Sequence, residues 1–169
     1  RPTDRRRVGR SAWPRGAPRV DRLDNPNDGP PVRFAYPRPQ LERAQWLSLD
    51  GPWRFRFDRE RRFHHPHEIP DWPATIEVPY PPESQASGLG ERGFNPAVWY
   101  QREFEIRADG GRVILHFGAV DYTAHVWVNG TRVGSHEGGH TPFRFDITAV
   151  LHRSGRHVVT LLAEDDPSD

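Results

Sequence analysis

Segments in which apolar and polar side chains alternate recur along this chain from residue 46 to its end, and they limit the folds it can adopt. In the clearest segment, residues 53–57 (Trp-Arg-Phe-Arg-Phe), every second side chain is aromatic. A period of two is typical of a β-strand with one buried face. Alternation or a concentration of β-forming residues predicts eight strands, at 53–57, 74–78, 99–106, 112–117, 123–128, 131–135, 143–147 and 156–163.

Turn-forming residues separate the predicted strands. Asp109-Gly110-Gly111 predicts that strands 99–106 and 112–117 form a hairpin, and Asn129-Gly130 is the strongest two-residue hairpin signal in the chain. Thr148 can cap one short helical turn within 146–151. The 18 Pro and 15 Gly residues argue against long helices, so crossover helices for a parallel sheet are missing. We expect an all-β, antiparallel sandwich of two sheets with jelly-roll topology.

Residues 1–40 differ in composition from the rest of the chain. They contain ten Arg, four Asp and no Glu, a net charge of +6, whereas the whole chain has a net charge of +1. A basic, Pro-rich segment without periodicity predicts an extended leader at 1–40, followed by one domain at 41–169. A nucleic-acid or membrane-surface arm is the alternative. Aromatic residues do not alternate with these arginines as a stacking platform requires, so we expect neither partner.

Length and residue usage exclude several classes of protein. A chain of 169 residues fits one domain and is too short to add a (β/α)₈ barrel, which needs roughly 200 residues. With no Cys, disulfides and cysteine-ligated metals are excluded. The chain lacks Met and begins with Arg, so we expect it to be part of a longer protein. No signal-peptide core or membrane-spanning apolar run is present, and we expect a cytoplasmic location unless an upstream signal precedes it.

Several motifs in a fixed order carry a resemblance to a known family. Residues 118–148 include Gly-Ala-Val-Asp-Tyr-Thr-Ala-His-Val-Trp-Val-Asn-Gly, residues 49–55 read Leu-Asp-Gly-Pro-Trp-Arg-Phe, and residues 95–100 read Asn-Pro-Ala-Val-Trp-Tyr. Together with the Val78-Pro79 step, they resemble the N-terminal sugar-binding domain of glycoside hydrolase family 2. This family contains β-galactosidases, β-glucuronidases and β-mannosidases. The resemblance covers about residues 46–169.

The resemblance implies a galactose-binding-domain-like jelly roll that precedes an immunoglobulin-like domain and a (β/α)₈ barrel. In such enzymes two glutamates of the barrel perform a retaining hydrolysis of the glycosidic bond. We therefore expect this chain to be a non-catalytic domain that lines the active-site pocket and orients the terminal sugar of the substrate. An autonomous carbohydrate-binding module is the alternative. The sugar itself is not specified by the sequence.

Two residues are candidates for sugar binding by the same resemblance. Asn95 offers amide donors and an acceptor, which suit paired hydroxyls, although Asn before Pro also favours a turn. Asp166, with Asp165 as the alternative, offers a carboxylate that accepts hydrogen bonds strongly. A solvated acidic loop or a linker into the next domain would have the same sequence pattern. We expect Asp121 to be structural, as a residue that caps a turn. No catalytic residue is expected in this chain.

Histidine clusters and tryptophans need separate interpretations. One cluster is His64-His65-Pro66-His67, and the other is Ser-His-Glu-Gly-Gly-His at 135–140, which contains His136, Glu137 and His140. The i, i+4 spacing of the latter binds zinc on a helix, but two glycines disfavour a helix there, so we expect no metal and no cofactor. Trp53, Trp99 and Trp127 are expected in the core. Trp46 and Trp72 could seal the domain against neighbouring domains, and such surfaces could also allow self-association.

Overall fold

The computed structural model describes residues 46–106, 110–152 and 155–165. These residues form eight strands, which are β1 (Gly51–Phe57), β2 (Ala74–Val78), β3 (Ala97–Glu105), β4 (Ile114–Phe117), β5 (Thr123–Val128), β6 (Thr131–Glu137), β7 (Phe143–Asp146) and β8 (Arg156–Glu164). Three 3-10 helices of one turn each span Pro66–Glu68, Gln85–Ser87 and Thr148–Val150. Within the described residues, no helix has the length and apolar character needed to cross a membrane.

The strands form two antiparallel sheets. Six of them lie in the order β2-β1-β3-β8-β5-β6, and β4 pairs with β7 in the second sheet. The predicted all-β, antiparallel jelly-roll sandwich is confirmed. Every predicted strand is present, and no strand end differs from its predicted position by more than two residues. The alternation was sufficient for this because a strand buried on one face must place apolar side chains at every second position.

Antiparallel pairing brings alternate strand ends together at each end of the six-stranded sheet. At one end, Phe57 lies opposite Val98, Ala97 lies opposite Glu164, and Glu164 also lies opposite Thr123. We call this end, where β1 and β8 end and β3 and β5 begin, the site edge. The other end carries the β5–β6 turn, and we call it the turn edge. The turn edge confirms the hairpin predicted from Asn129-Gly130.

The predicted hairpin of strands 99–106 and 112–117 is wrong. β3 pairs with β1 on one side and with β8 on the other. The strand after it, β4, pairs with β7 in the second sheet. Because β3 has both of its hydrogen-bonding edges occupied, the following chain crosses to the other layer. The sequence signal was Asp109-Gly110-Gly111, of which Asp109 lies outside the described residues.

The predicted short helical turn is present at Thr148–Val150, but the capping role predicted for Thr148 is wrong. Ile147 occupies the N-cap position, and no side chain caps the turn. The Thr148 hydroxyl instead accepts a hydrogen bond from Val113 N at 2.8 Å and donates one to Asp146 Oδ1 at 2.6 Å. Thr148 lies inside the turn, so its side chain joins the turn to the chain that enters β4.

The main core lies between the two sheets. Phe55, Ile76, Val126 and Val159 are fully buried there. Fully burying an aliphatic or aromatic side chain of this size stabilises the fold by about 1.5–3 kcal/mol. The alternation that predicted the strands therefore also supplies the core.

A second, smaller core covers the opposite face of the six-stranded sheet. Trp99 and Trp127 lie in it with ring centroids 5.4 Å apart, and Phe63, Ile69 and Trp72 from the segment after β1 pack against them. Trp99 and Trp127 here and Trp53 in the main core are buried, as predicted. Trp72 closes this smaller core, whereas the side chain of Trp46 is 44% exposed.

Candidate functional site

Asn95 lies at the site edge, two residues before β3, and its side chain is half-buried. Its Nδ2 atom donates to the carbonyl oxygen of Gly93 at 2.7 Å, and its Oδ1 atom accepts from Arg59 Nε at 3.0 Å. A carbonyl only accepts and a guanidinium only donates, so these two partners fix which end of the amide is which. One Nδ2 hydrogen and one Oδ1 lone pair keep their capacity, since no other residue of the described chain bonds to them.

A charged pair supports Asn95 from the side. Arg59 Nη2 lies 3.4 Å from Glu91 Oε2, and the Arg59 guanidinium carbon lies 5.3 Å from the centroid of the Phe57 ring. The other oxygen of Glu91 accepts from Gly93 N at 2.9 Å. Glu91 therefore orients both of the groups that hold the Asn95 amide.

A buried carboxylate shapes the turn that carries Arg59. Asp58 is 4% exposed, and its oxygens accept from Arg62 N at 2.9 Å and from Phe63 N at 3.0 Å. Trp99 Nε1 lies 3.4 Å from Asp58 Oδ2. A carboxylate that accepts several N–H groups compensates for the loss of hydration on burial. We call residues 58–63, which fold around this side chain, the Asp58 loop.

The end of β8 lies beside Asn95 at the same edge. Asp165 N donates to the carbonyl oxygen of Pro96 at 3.0 Å, and Arg61 Nη2 donates to the carbonyl oxygen of Asp165 at 2.7 Å. The structure therefore brings Asn95 and Asp165 together, although 70 positions separate their numbers in the sequence. Asp166 lies outside the described residues, and its contact with a sugar stays a prediction.

A histidine network holds the side chain of the last residue of β8. His125 Nε2 lies 3.0 Å from Glu164 Oε2, and His125 Nδ1 lies 3.0 Å from Arg132 Nη2. Because arginine only donates, Nδ1 is the acceptor and Nε2 carries the hydrogen that Glu164 receives. This network ties β5, β6 and β8 together.

Asp121 packs against the glycine-rich loop between β6 and β7. A Cβ atom at Gly139 would overlap with the Asp121 carboxylate, so only glycine fits there. Gly138 has φ +122°, which side-chain-bearing residues rarely adopt. The role of Asp121 in this geometry is packing, and its predicted capping of a turn stays a prediction.

Both histidine clusters make local contacts. His65 Nδ1 accepts from His67 N at 3.3 Å, and the His65 ring lies edge-on to Trp127 with centroids 5.9 Å apart. In the second cluster, the His136 ring stacks on Phe143 at 4.4 Å. In the part of the chain that the structure describes, no three His, Asp or Glu side chains are grouped so that they could hold a metal ion.

The sequence reasoning missed Asp58, Arg59 and Arg61. They belong to Asp-Arg-Glu-Arg-Arg after β1, which reads as a solvated charged turn. Acidic residues are rarely buried, so nothing local indicated that Asp58 is inside. The partners of the arginines are 36 and 104 residues away in the chain. The only available signal was the position of this charged run at the end of a strongly alternating strand.

Comparisons with known proteins show the family of this chain and its relatives. The family model described as "Glycosyl hydrolases family 2, sugar binding domain" matches residues 46–167. A protein of Canis lupus familiaris named beta-glucuronidase is 36% identical over 132 residues, which cover 69% of this chain and 20% of the relative. A beta-glucuronidase of Paenibacillus borealis is 33% identical over 137 residues, which cover 77% of this chain and 22% of the relative.

A solved structure of a protein with the same name also matches this chain. The Faecalibacterium prausnitzii beta-glucuronidase matches with a TM-score of 0.58 and 38% sequence identity, covering 70% of this chain and 20% of that one. This chain thus spans about a fifth of the length of the curated relatives that it matches.

Proposed function

Because this chain belongs to the sugar-binding domain of family 2 of the glycosyl hydrolases, we propose that it is the N-terminal part of a retaining, β-glucuronidase-like enzyme. In that enzyme it lines one side of the active-site pocket and orients the terminal sugar through Asn95 and Asp166. The name beta-glucuronidase of the relatives supports this activity, and their greater length supports further domains. Those domains are proposed to be an immunoglobulin-like domain and a barrel with two catalytic glutamates.

The observation that carries the proposal is the unused capacity of the Asn95 amide. Among residues 46–106, 110–152 and 155–165, no group bonds to the second Nδ2 hydrogen or to the second Oδ1 lone pair at the site edge. A pair of adjacent sugar hydroxyls needs one acceptor and one donor, so this amide matches it. Beside it, β8 leads through Asp165 into Asp166, whose carboxylate would accept from a hydroxyl.

The chain contributes to catalysis by positioning. Hydrogen bonds to the far end of the sugar ring hold the glycosidic carbon in line with the catalytic carboxylates of the barrel. Contacts that tighten as the ring flattens towards an oxocarbenium ion lower the activation barrier, whereas contacts of constant strength only lower KM. This chain supplies neither the acid nor the nucleophile in the proposal.

The proposal is tested in the enzyme that contains this chain. Asn95→Ala and Asp166→Ala should each lower kcat/KM for p-nitrophenyl β-D-glucuronide at least tenfold, equivalent to about 1.4 kcal/mol, with little change in Tm. The matched control is Arg54→Ala, which removes an exposed side chain that pairs with Glu103 on the face of the sheet opposite the main core. Unchanged kinetics in both Asn95→Ala and Asp166→Ala would sink the proposal. Greater activity on a galactoside or mannoside would redirect the substrate assignment.

An autonomous carbohydrate-binding module is the second candidate, and one observation favours it. Phe94, next to Asn95, is 52% exposed, and an exposed aromatic ring can stack on the apolar face of a sugar. Titration calorimetry of this chain with glucuronate, galactose and mannose separates the two. We expect binding no tighter than about millimolar, because the other half of the pocket is absent. Binding well below millimolar would favour the module.

A further inference from the structure

We propose, resting on the function proposed above, that Arg59 and Arg61 are positioning residues for the sugar. Arg59 fixes the amide of Asn95, and Arg61 fixes the backbone that leads into Asp166. Both arginines project from the Asp58 loop, so one turn holds both the Asn95 amide and the Asp165 carbonyl oxygen.

The first contact fixes the direction of an amide. The two ends of an asparagine side chain have nearly the same shape, so only hydrogen-bond partners determine which end faces a ligand. The carbonyl of Gly93 selects the Nδ2 end and Arg59 Nε holds the Oδ1 end, at 2.7 Å and 3.0 Å. Without Arg59, the Asn95 amide keeps only the Gly93 carbonyl as a partner in the described chain, and one hydrogen bond does not prevent the amide from rotating. The donor and the acceptor offered to the sugar then lose their fixed directions.

The second contact fixes a direction of the chain. Arg61 Nη2 binds the carbonyl oxygen of Asp165 at 2.7 Å, while Asp165 N binds the carbonyl oxygen of Pro96 at 3.0 Å. That carbonyl belongs to the peptide group that joins Asp165 to Asp166. Because a peptide group is planar, holding its oxygen restricts the direction in which the chain continues.

The Asp58 loop places the two arginines on different targets. Arg61 has φ +49°, in the left-handed region that is costly for a residue with a side chain. Its N–H donates to the carbonyl of Asp58 at 3.0 Å, and the Asp58 carboxylate holds the next two N–H groups. Arg62, in contrast, directs its Nε atom to Glu60 at 2.7 Å and contacts neither strand end. Arg62 is therefore a matched control for charge and position.

The test is a pair of double-mutant cycles in the enzyme that contains this chain. One cycle combines Arg59→Ala with Asn95→Ala, and the other combines Arg61→Ala with Asp166→Ala. Arg62→Ala is the control. For each variant, kcat and KM for p-nitrophenyl β-D-glucuronide are measured at low and high ionic strength, together with Tm.

Positioning predicts strong non-additivity. Arg59→Ala should lower kcat/KM at least threefold in the unmodified enzyme, and less than 1.5-fold when Asn95 is already alanine. Arg61→Ala should show the same dependence on Asp166. Arg62→Ala should stay within 1.5-fold of the unmodified enzyme, and Arg59→Lys, which keeps a donor and the charge, should recover part of the loss.

Two results would overturn the inference. The first is a loss in Arg59→Ala that persists in full in the Asn95→Ala background and weakens with salt, which would mean that the arginine attracts an anionic substrate directly. The second is unchanged kinetics in Arg59→Ala and Arg61→Ala while Asn95→Ala and Asp166→Ala are impaired. In that case the proposed function stands and only the positioning role fails. If Asn95→Ala and Asp166→Ala are themselves unimpaired, the proposed function fails and the inference fails with it.

Discussion

Two asparagines at opposite ends of the six-stranded sheet use their amides differently. At the turn edge, Asn129 Oδ1 accepts from Val158 N at 3.0 Å, and Nδ2 donates to the carbonyl oxygen of Val150 at 2.8 Å and to His157 Nδ1 at 3.1 Å. Both Nδ2 hydrogens are used. At the site edge, Asn95 uses only one of its two Nδ2 hydrogens in the described part of the chain.

The environment of the partners differs as well. His157 is 1% exposed, and its Nε2 donates to the carbonyl of Ile106 at 3.1 Å. Its Nδ1 is therefore an acceptor, and it accepts from Asn129 Nδ2 at 3.1 Å and from His152 N at 3.4 Å. The side-chain partner of Asn95 is Arg59, which is itself 59% exposed. A saturated amide with a buried partner stabilises the fold, whereas an unsaturated amide with an exposed partner keeps capacity for a ligand. Counting unused donors and acceptors thus separates a structural asparagine from a candidate binding residue.

The largest expected difference between the two asparagines is the loss of stability when each is replaced by alanine. We expect Asn129→Ala to lower the free energy of unfolding by about 3 kcal/mol. Val158 N, the Val150 carbonyl and the buried His157 ring each lose a partner, and an unpaired buried polar group costs about 1–3 kcal/mol. Asn129 also has φ +52°, which alanine tolerates poorly. Asn95→Ala should cost less than about 1 kcal/mol. Urea unfolding of the two variants, with Asn129→Gly to separate the backbone effect, measures this, and equal losses in Asn129→Ala and Asn95→Ala would contradict the contrast.

An intermediate effect is expected at Asp58, whose substitution should affect both the stability of the fold and the activity of the enzyme. Asp58→Ala removes the acceptor of Arg62 N and Phe63 N, and we expect a loss of about 2 kcal/mol in the free energy of unfolding. It should also lower kcat/KM in the enzyme that contains this chain, since the Asp58 loop carries Arg59 and Arg61. Thermal unfolding and kinetics of the same variant check both, and full activity in a destabilised variant would separate the loop from the sugar site.

The smallest expected effect is the loss of stability at acidic pH through Asp146, near the turn edge. Thr148, through its hydroxyl and its N–H, and Arg112 lower the pKa of Asp146 to about 2 from 3.8. Thr148 begins the helical turn that contains Val150, and the Val150 carbonyl oxygen accepts a hydrogen bond from Asn129 Nδ2. Because the folded-state pKa is depressed, this contribution to stability is present above pH 3.8 and is lost as the pH falls towards 2.

Nuclear magnetic resonance titration of the Asp146 carboxyl carbon measures this pKa. In Arg112→Ala it should rise but stay below 3.8, because the two hydrogen bonds from Thr148 remain. A carboxyl that titrates near 3.8 in the unmodified chain would show that the Thr148 contacts do not form in solution.

Local patterns predicted the strands but not all of their partners. The period of two located β1 and β3, and Asn129-Gly130 located the β5–β6 hairpin, because both signals depend on neighbouring residues only. The pairing of β3 with β8 was not predictable from Asp109-Gly110-Gly111, since it depends on which strand occupies each edge of β3.

The family resemblance pointed to Asn95, and the structure added what holds it. Arg59 and Asn95 lie 36 residues apart, and Arg61 and Asp165 lie 104 apart. No local pattern relates residues at such separations. The same limit hid Asp58, whose burial follows from the packing of the segment after β1 over Trp99.

By itself, the sequence determined an all-β sandwich, because side-chain alternation and turn residues act on the backbone locally. The sugar-binding family came from the resemblance of several motifs to that family, which the family match over residues 46–167 confirms. Only the tertiary structure decided which polar groups are saturated. Within the residues that the structure describes, both Nδ2 hydrogens of Asn129 are bonded and only one of Asn95 is. The physical reason is that a hydrogen bond requires two groups at about 3 Å in the right direction. Residues far apart in the sequence reach that distance only when the strands are arranged in the folded chain.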